Sequence, residues 1–161
     1  IVLAPMGLDA AIIAKTITVT MEASTVLWLA LALTSPLAGF KIGNNFLGLV
    51  GATLLSVFTF SCIALVFACF LRTIRVYTMT ISILGVALMF VSGIITPIKA
   101  MPYWEQQLAS SMPLYYASDL TKAAMLGIPC DYGRDIVVLL SFAFGSLIVS
   151  RFVLARSKAS L

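Results

Sequence analysis

The chain alternates long apolar runs with short polar interruptions, and the runs fall at about 17–37, 46–70, 76–98 and 135–155. At ~1.5 Å per helical residue, runs of this length cross a hydrocarbon core of ~30 Å. The pattern predicts an all-α integral membrane protein, a polytopic helical bundle in which residues 1–161 form a single transmembrane domain.

Two stretches depart from the simple alternation. Residues 1–15, IVLAPMGLDAAIIAK, read as a short amphipathic segment broken at its front by Pro5 and Gly7. Asp9 is placed to cap a helix that carries Ile12 and Ile13, and Lys15 to snorkel toward the headgroups at its end. Residues 99–130 predict a helical hairpin before the last span, built from two short amphipathic pieces opened by Pro102 and Pro113. Proline suits a helix start, where its missing N–H would have no partner anyway, and Gly127 followed by Pro129 is a stop signal. In the first piece Met101, Trp104 and Leu108 recur at helical spacing while Glu105, Gln106 and Ser110 fall on other sides, the pattern of an interfacial helix. In the second, Ala117, Leu120 and Ala124 make a thin apolar line beside Asp119 and Lys122. The Tyr115–Tyr116 pair suits the headgroup level, where amphipathic rings settle.

The first span carries the most polar intramembrane stretch. Thr18, Glu22 and Thr25 are spaced four and three apart and share one helical face. A glutamate held in hydrocarbon costs ~2.5 kcal/mol or more unless it is solvated, paired or protonated. Glu22 therefore faces a bundle interior or a water-filled cavity, or else lies shallow enough, about a turn and a half beyond Lys15, to reach the headgroups. In the second span Gly48, Ala52 and Ser56 fall four apart, a spacing of small residues that lets membrane helices approach closely, and Ser141 and Gly145 repeat it in the last span.

Composition agrees with the pattern. Hydrophobic residues make up 61% of the chain and charged ones 10%, with a mean hydropathy of +1.12, too little polar surface for a soluble globule of this length. The net charge of +4 lies in short clusters between apolar runs rather than along one face, so no nucleic-acid partner is expected. Those clusters set the orientation. One side holds Lys15, Arg72, Arg75, Arg151, Arg156 and Lys158 against Asp9 alone. On the other, Lys41, Lys99, Lys122 and Arg134 balance Glu105, Asp119, Asp131 and Asp135. Excess Lys and Arg in short loops marks the cytoplasm, which makes the hairpin external and the carboxy terminus cytoplasmic.

Catalytic chemistry finds little support. The chain has no histidine, which removes imidazole bases and histidine-containing metal sites. Only Glu22 supplies a carboxylate deep in a span, so a paired-aspartate membrane protease is unsupported. Cys62, Cys69 and Cys130 have no paired spacing and give neither a disulfide framework nor a metal signature. No phosphate-binding glycine loop ending in Gly-Lys-Ser/Thr occurs, so work that needs ATP would draw on hydrolysis elsewhere.

The order of parts is distinctive: an amphipathic piece with Leu3 and Pro5, three spans, then G-x-x-x-P-x-x-x-M-P-x-W over Gly93, Pro97, Met101, Pro102 and Trp104, and M-P-L-x-Y over Pro113, Leu114 and Tyr116, closing at Gly127 before a last span and a short basic tail. It resembles the permease subunits of type 2 ATP-binding-cassette exporters. The resemblance implies that Leu3, Pro5, Asp9, Ile12, Ile13 and Lys15 belong to a cytoplasmic coupling segment, and that the chain supplies the carboxy-terminal four of six spans. It implies a multi-pass protein of the cell (plasma or inner) membrane. Two permease copies, as a homodimer, would sit on an ATP-binding-cassette ATPase subunit that holds ATP and magnesium, with no cofactor or metal in this chain. The transported material would be an amphipathic drug, lipid or lipid-linked glycan, with Thr18, Glu22 and Thr25 on the pathway face and membrane lipid as a further partner. A non-transporting membrane anchor or assembly subunit is the alternative, and an intramembrane enzyme the weaker one.

Overall fold

A computed structural model of the chain describes residues 8–38, 46–71, 73–92, 102–127 and 129–159. Among these residues it has no strand and six helices: α1 (Leu8–Ala38), α2 (Phe46–Phe70), α3 (Ile74–Val91), α4 (Tyr103–Ser111), α5 (Pro113–Leu126) and α6 (Tyr132–Ala159). Four segments are long and apolar enough to cross a membrane, namely Ile12–Leu33, Phe46–Phe70, Ile74–Val91 and Tyr132–Leu154. The protein is an integral membrane helical bundle.

Two boundaries differ from the sequence pattern. The described part of the amphipathic segment, from Leu8, is one helix with the first span, because the breakers Pro5 and Gly7 lie ahead of Leu8 in the sequence and nothing from Ala10 to Ile17 interrupts helical backbone. Asp9 consequently falls inside that helix rather than before it. The last helix continues to Ala159, past the end of the apolar run, because the residues that follow Leu154 remain good helix formers. The third helix ends at Val91 with Ser92 as its cap, and residues 93–98 of the third apolar run lie outside the described residues.

The core sits where α5 meets α2 and α6. Leu49, Ala52, Tyr116, Ala117, Leu120, Ala124 and Leu139 form its buried cluster, with Trp28, Phe60 and Val138 packed around it. The pairing of α2 with α6 is the most extensive in the bundle. Lipid tails are as apolar as leucine, so helices in a membrane associate through close packing and hydrogen bonds rather than by leaving water. The buried residues fit this account: Ala52, Thr53, Thr59, Ser61 and Cys62 on α2, and Ala143 and Ser150 on α6. The Thr59 hydroxyl donates to the Leu55 carbonyl at 2.8 Å and comes within 3.4 Å of the Leu139 carbonyl across the seam. Cys62 is a fully buried, small apolar filler. Of the small face on α2, Ala52 is buried and Ser56 half-buried, whereas Gly48 is exposed. The seam is rotated toward Leu49, Thr53 and Thr59. Ser141 and Gly145 lie exposed beside a shallow hollow with Ile63 and Phe67.

The third helix stands apart. It has no buried residue among those described, and its neighbours in the chain are α2 and α4.

Candidate functional site

The polar face of α1 turns away from the bundle. Ile12 and Thr16 are the buried residues of this helix, at 7% and 3% exposure, and they lie on the side opposite Thr18, Glu22 and Thr25, all three of which are exposed. The hydroxyls are spent locally: Thr18 donates to the Ala14 carbonyl at 2.9 Å and Thr25 to that of Met21 at 2.8 Å. Such back-bonding lets a threonine sit in a span without an unsatisfied donor. Glu22 is thus a charged group on an uncovered helix face, with the exposed Lys15 about two turns below it on the same side. Of the coupling segment, Ile13 is exposed and Ile12 is packed into the bundle, while Leu3 and Pro5 lie outside the described residues.

The hairpin is built from its prolines inward. Pro102 occupies the cap of α4, and its carbonyl accepts from the Glu105 and Gln106 amides at 3.0 and 3.1 Å. Pro113 opens α5, and Met112 in extended conformation is the whole connection between the two helices. Gly127 ends α5 in the left-handed region at φ 67°, a conformation suited to glycine, and its amide donates to the Ala123 carbonyl at 2.9 Å. Tyr103 and Trp104 are exposed on α4, while Leu114 is half-buried. Gly93, Pro97 and Met101 lie outside the described residues.

Tyr116 is packed inside the hairpin rather than exposed on it. It is only 6% exposed, and its hydroxyl donates to the Ser110 carbonyl of α4 at 2.6 Å. The same oxygen accepts from Arg134 Nη2 of α6 at 3.3 Å, and the guanidinium carbon stands 5.4 Å from the ring centre. Tyr115 meets Tyr116 edge-on at 5.1 Å. One phenol therefore ties α4, α5 and α6 together. Tyr116 goes inside because it shares a face with Leu120, Ala123 and Ala124, all buried. Burial, and then the charge of Asp119, pushes the Tyr115 phenol up, so it stays neutral at physiological pH.

Arg134 and Asp135, which counted only toward topology in the sequence, sit at this junction. Asp135 is 3% exposed and its Oδ2 has no hydrogen-bond partner among the described residues. Its place in the first turn of α6 offsets part of the cost of burying a carboxylate, since the amino end of a helix favours negative charge. Nearby, the Cys130 thiol is pushed up by burial, then by Asp135 and Asp119. A raised thiol pKa means less thiolate at neutral pH. Cys130 will therefore react with maleimide more slowly than a free cysteine peptide at neutral pH, and faster as pH rises. Replacing Asp119 by Asn removes a negative charge and should speed it; a rate equal to the free peptide's and unmoved by that change would contradict the assignment.

A second feature of the site was not visible in the sequence at all. Beneath α5, between α1 and α2, lies an open cavity of about 630 Å³. Val19 and Leu27 of α1, Val57 and Phe60 of α2, and Leu114 and Met125 of α5 give it an apolar wall, with Lys122 at its margin. No group of three or more metal-ligating side chains occurs among the described residues. Among the described residues the arrangement offers surfaces, a polar helix face and a cavity.

The family model described as ABC-2 type transporter matches residues 2–126, from the amphipathic segment through the end of α5. No curated protein and no solved structure matches the chain.

Proposed function

The chain belongs to the ABC-2 type transporter family, and from that premise we propose that it is the permease subunit of an ATP-driven exporter. The match across residues 2–126 carries this reading, together with four membrane-length helices and a proline-opened hairpin between the third and fourth. Membership makes the chain a transport component of a membrane, to be paired with an ATP-binding-cassette ATPase.

ATP and magnesium bind on a separate ATPase subunit, and two copies of this chain form a homodimer above it. Residues 3–15 take up the movement of the ATPase. Because α1 is continuous from Leu8, that movement reaches Thr18, Glu22 and Thr25 without a joint. These residues face a pathway for an amphipathic drug, lipid or lipid-linked glycan, and the hairpin caps the exit on the outer side of the cell membrane, the carboxy terminus being cytoplasmic. Coupling of this kind needs an element with two arrangements that both sites bias, and the interface between copies fills that role.

The test is a pull-down in mild detergent, with mass spectrometry of co-purifying chains and an assay of their ATP hydrolysis. The expected outcome is a stoichiometric ATPase whose turnover falls when residues 5–15 are altered. A chain that purifies alone would favour an anchoring or assembly subunit. In reconstituted vesicles Glu22→Gln should lower transport several-fold or change its pH response; transport unchanged at every pH removes Glu22 from the pathway.

A further inference from the structure

The cavity under α5 lies on the other side of α1 from Thr18, Glu22 and Thr25, since Val19, Ala23 and Leu27 line it. It is therefore a different surface from the proposed pathway. Its volume, about 630 Å³, falls within the range of roughly 300–1,000 Å³ typical of pockets for small molecules. Five of its lining residues carry hydroxyls, Thr53, Ser56, Ser61, Ser118 and Thr121, and all but Ser61 turn theirs back to their own helix. Thr53 donates to the Leu49 carbonyl at 2.8 Å, Ser56 to that of Ala52 at 2.7 Å, Ser118 to that of Tyr115 at 2.9 Å and Thr121 to that of Ala117 at 2.7 Å. The wall is consequently apolar apart from Ser61.

Lys122 is the other exception. It is the cavity's charged lining residue, it is exposed, and it makes no ion pair among the described residues. Asp119, one turn earlier on α5, acts instead on Tyr115 and Cys130, toward the α6 side. A largely apolar trough of this size, with a cation at its rim, is complementary to a molecule with long apolar chains and one anionic group. The trough runs from α5 down along the spans α1 and α2, so its apolar floor lies in the bilayer and its cation lies at the hairpin end.

We propose that this trough is a binding site for an anionic phospholipid of the leaflet on the hairpin side. An acyl chain lies beneath α5 against Val19, Leu27, Val57 and Phe60, and the phosphate meets Lys122. Lipid held there is shielded by α5 from the surrounding bilayer and wedges the hairpin against α1 and α2. It is a resident lipid and not cargo, and the assignment holds whether or not the pathway reading of Glu22 does.

The experiment uses the full chain, with any ATPase that co-purifies, in nanodiscs of phosphatidylcholine containing a minor fraction of phosphatidylglycerol. A photoactivatable diazirine is carried on the acyl chain of one lipid or the other, and labelled peptides are mapped by mass spectrometry. The phosphatidylglycerol probe should label peptides containing Val57 and Phe60 in preference to the phosphatidylcholine probe. Lys122→Gln should lower that preference about fivefold, the factor given by about 1 kcal/mol per lysine beside an anionic headgroup. Lys122→Glu should reverse it, and Ala23→Phe should abolish labelling by both probes. Lys122 is exposed, so its variants test charge without disturbing packing. Glu22→Gln should leave the labelling unchanged, which separates this site from the pathway. Equal labelling by both probes, indifferent to Lys122→Gln, would make the trough ordinary bilayer contact and overturn the proposal. So would a photoreactive residue at position 57 that cross-links to polypeptide instead of lipid.

Discussion

Replacing Tyr116 by Ala is expected to destabilise the folded protein by about 3–5 kcal/mol, the range for removing a large aromatic side chain from a packed core. The ring is almost wholly buried in the cluster formed with Leu49, Leu120 and Leu139. Its hydroxyl also serves two other helices, through the Ser110 carbonyl and the Arg134 guanidinium. Truncation leaves a hollow, an unpartnered carbonyl at the end of α4, and a guanidinium without the aromatic face beneath it. Tyr116→Phe keeps the ring and the cation above it and loses only the hydroxyl bonds, so it should cost about 1–2 kcal/mol. Melting in detergent, followed by intrinsic fluorescence, reads both. If the alanine and phenylalanine variants melt together, the ring is not packed as described. A double-mutant cycle with Arg134→Met isolates the link to α6; a coupling near zero would break it.

Leu139→Ala should have the next largest effect, about 2–4 kcal/mol. Leu139 is fully buried at the crossing of α2, α5 and α6, and its carbonyl lies 3.4 Å from the Thr59 hydroxyl. In a membrane a truncated side chain loses little by transfer, because lipid surrounds it otherwise. What it loses is dispersion contact with neighbours that cannot close in on the hollow. The control is Leu33→Ala, since Leu33 is 70% exposed on α1 and touches lipid in either case. Unfolding in a denaturing detergent should show a large loss for Leu139→Ala and almost none for Leu33→Ala. Equal losses would mean that stability follows hydrophobicity alone and that the core has been misplaced.

The spans were legible in the sequence because length and apolarity are local properties, and the hairpin was legible because Pro113 and Gly127 act on their own backbone. Which residues of the hairpin face inward was less so. Tyr115 and Tyr116 are neighbours with the same chemistry, and only the recurrence of Tyr116 with Leu120, Ala123 and Ala124 distinguishes the buried one. A preference of tyrosine for the headgroup level applies to both and does not choose between them. Arg134 is eighteen positions from Tyr116, and no pattern along the chain announces such a pair. The cavity depends on three helices at once and on hydroxyls turned back to their own carbonyls, so it exists only after folding. Glu22, by contrast, stands out in either view: as a lone carboxylate in an apolar run, and as an exposed one on an uncovered face.

The unbroken course of α1 has a mechanical consequence. Among its described residues the buried ones, Ile12 and Thr16, lie near one end of a helix that runs from Leu8 to Ala38. A stiff rod gripped there is a lever with its fulcrum off-centre. At ~1.5 Å per residue the short arm down to Leu8 is ~9 Å and the long arm up to Leu33 ~28 Å. A sideways displacement at Leu8 is thereby magnified about threefold at Leu33, and about twofold at Trp28, which leans on Phe46 with ring centres 5.9 Å apart. A pair of glycines inserted between Thr16 and Thr18 would put a hinge in the beam and dissipate the stroke before it arrived.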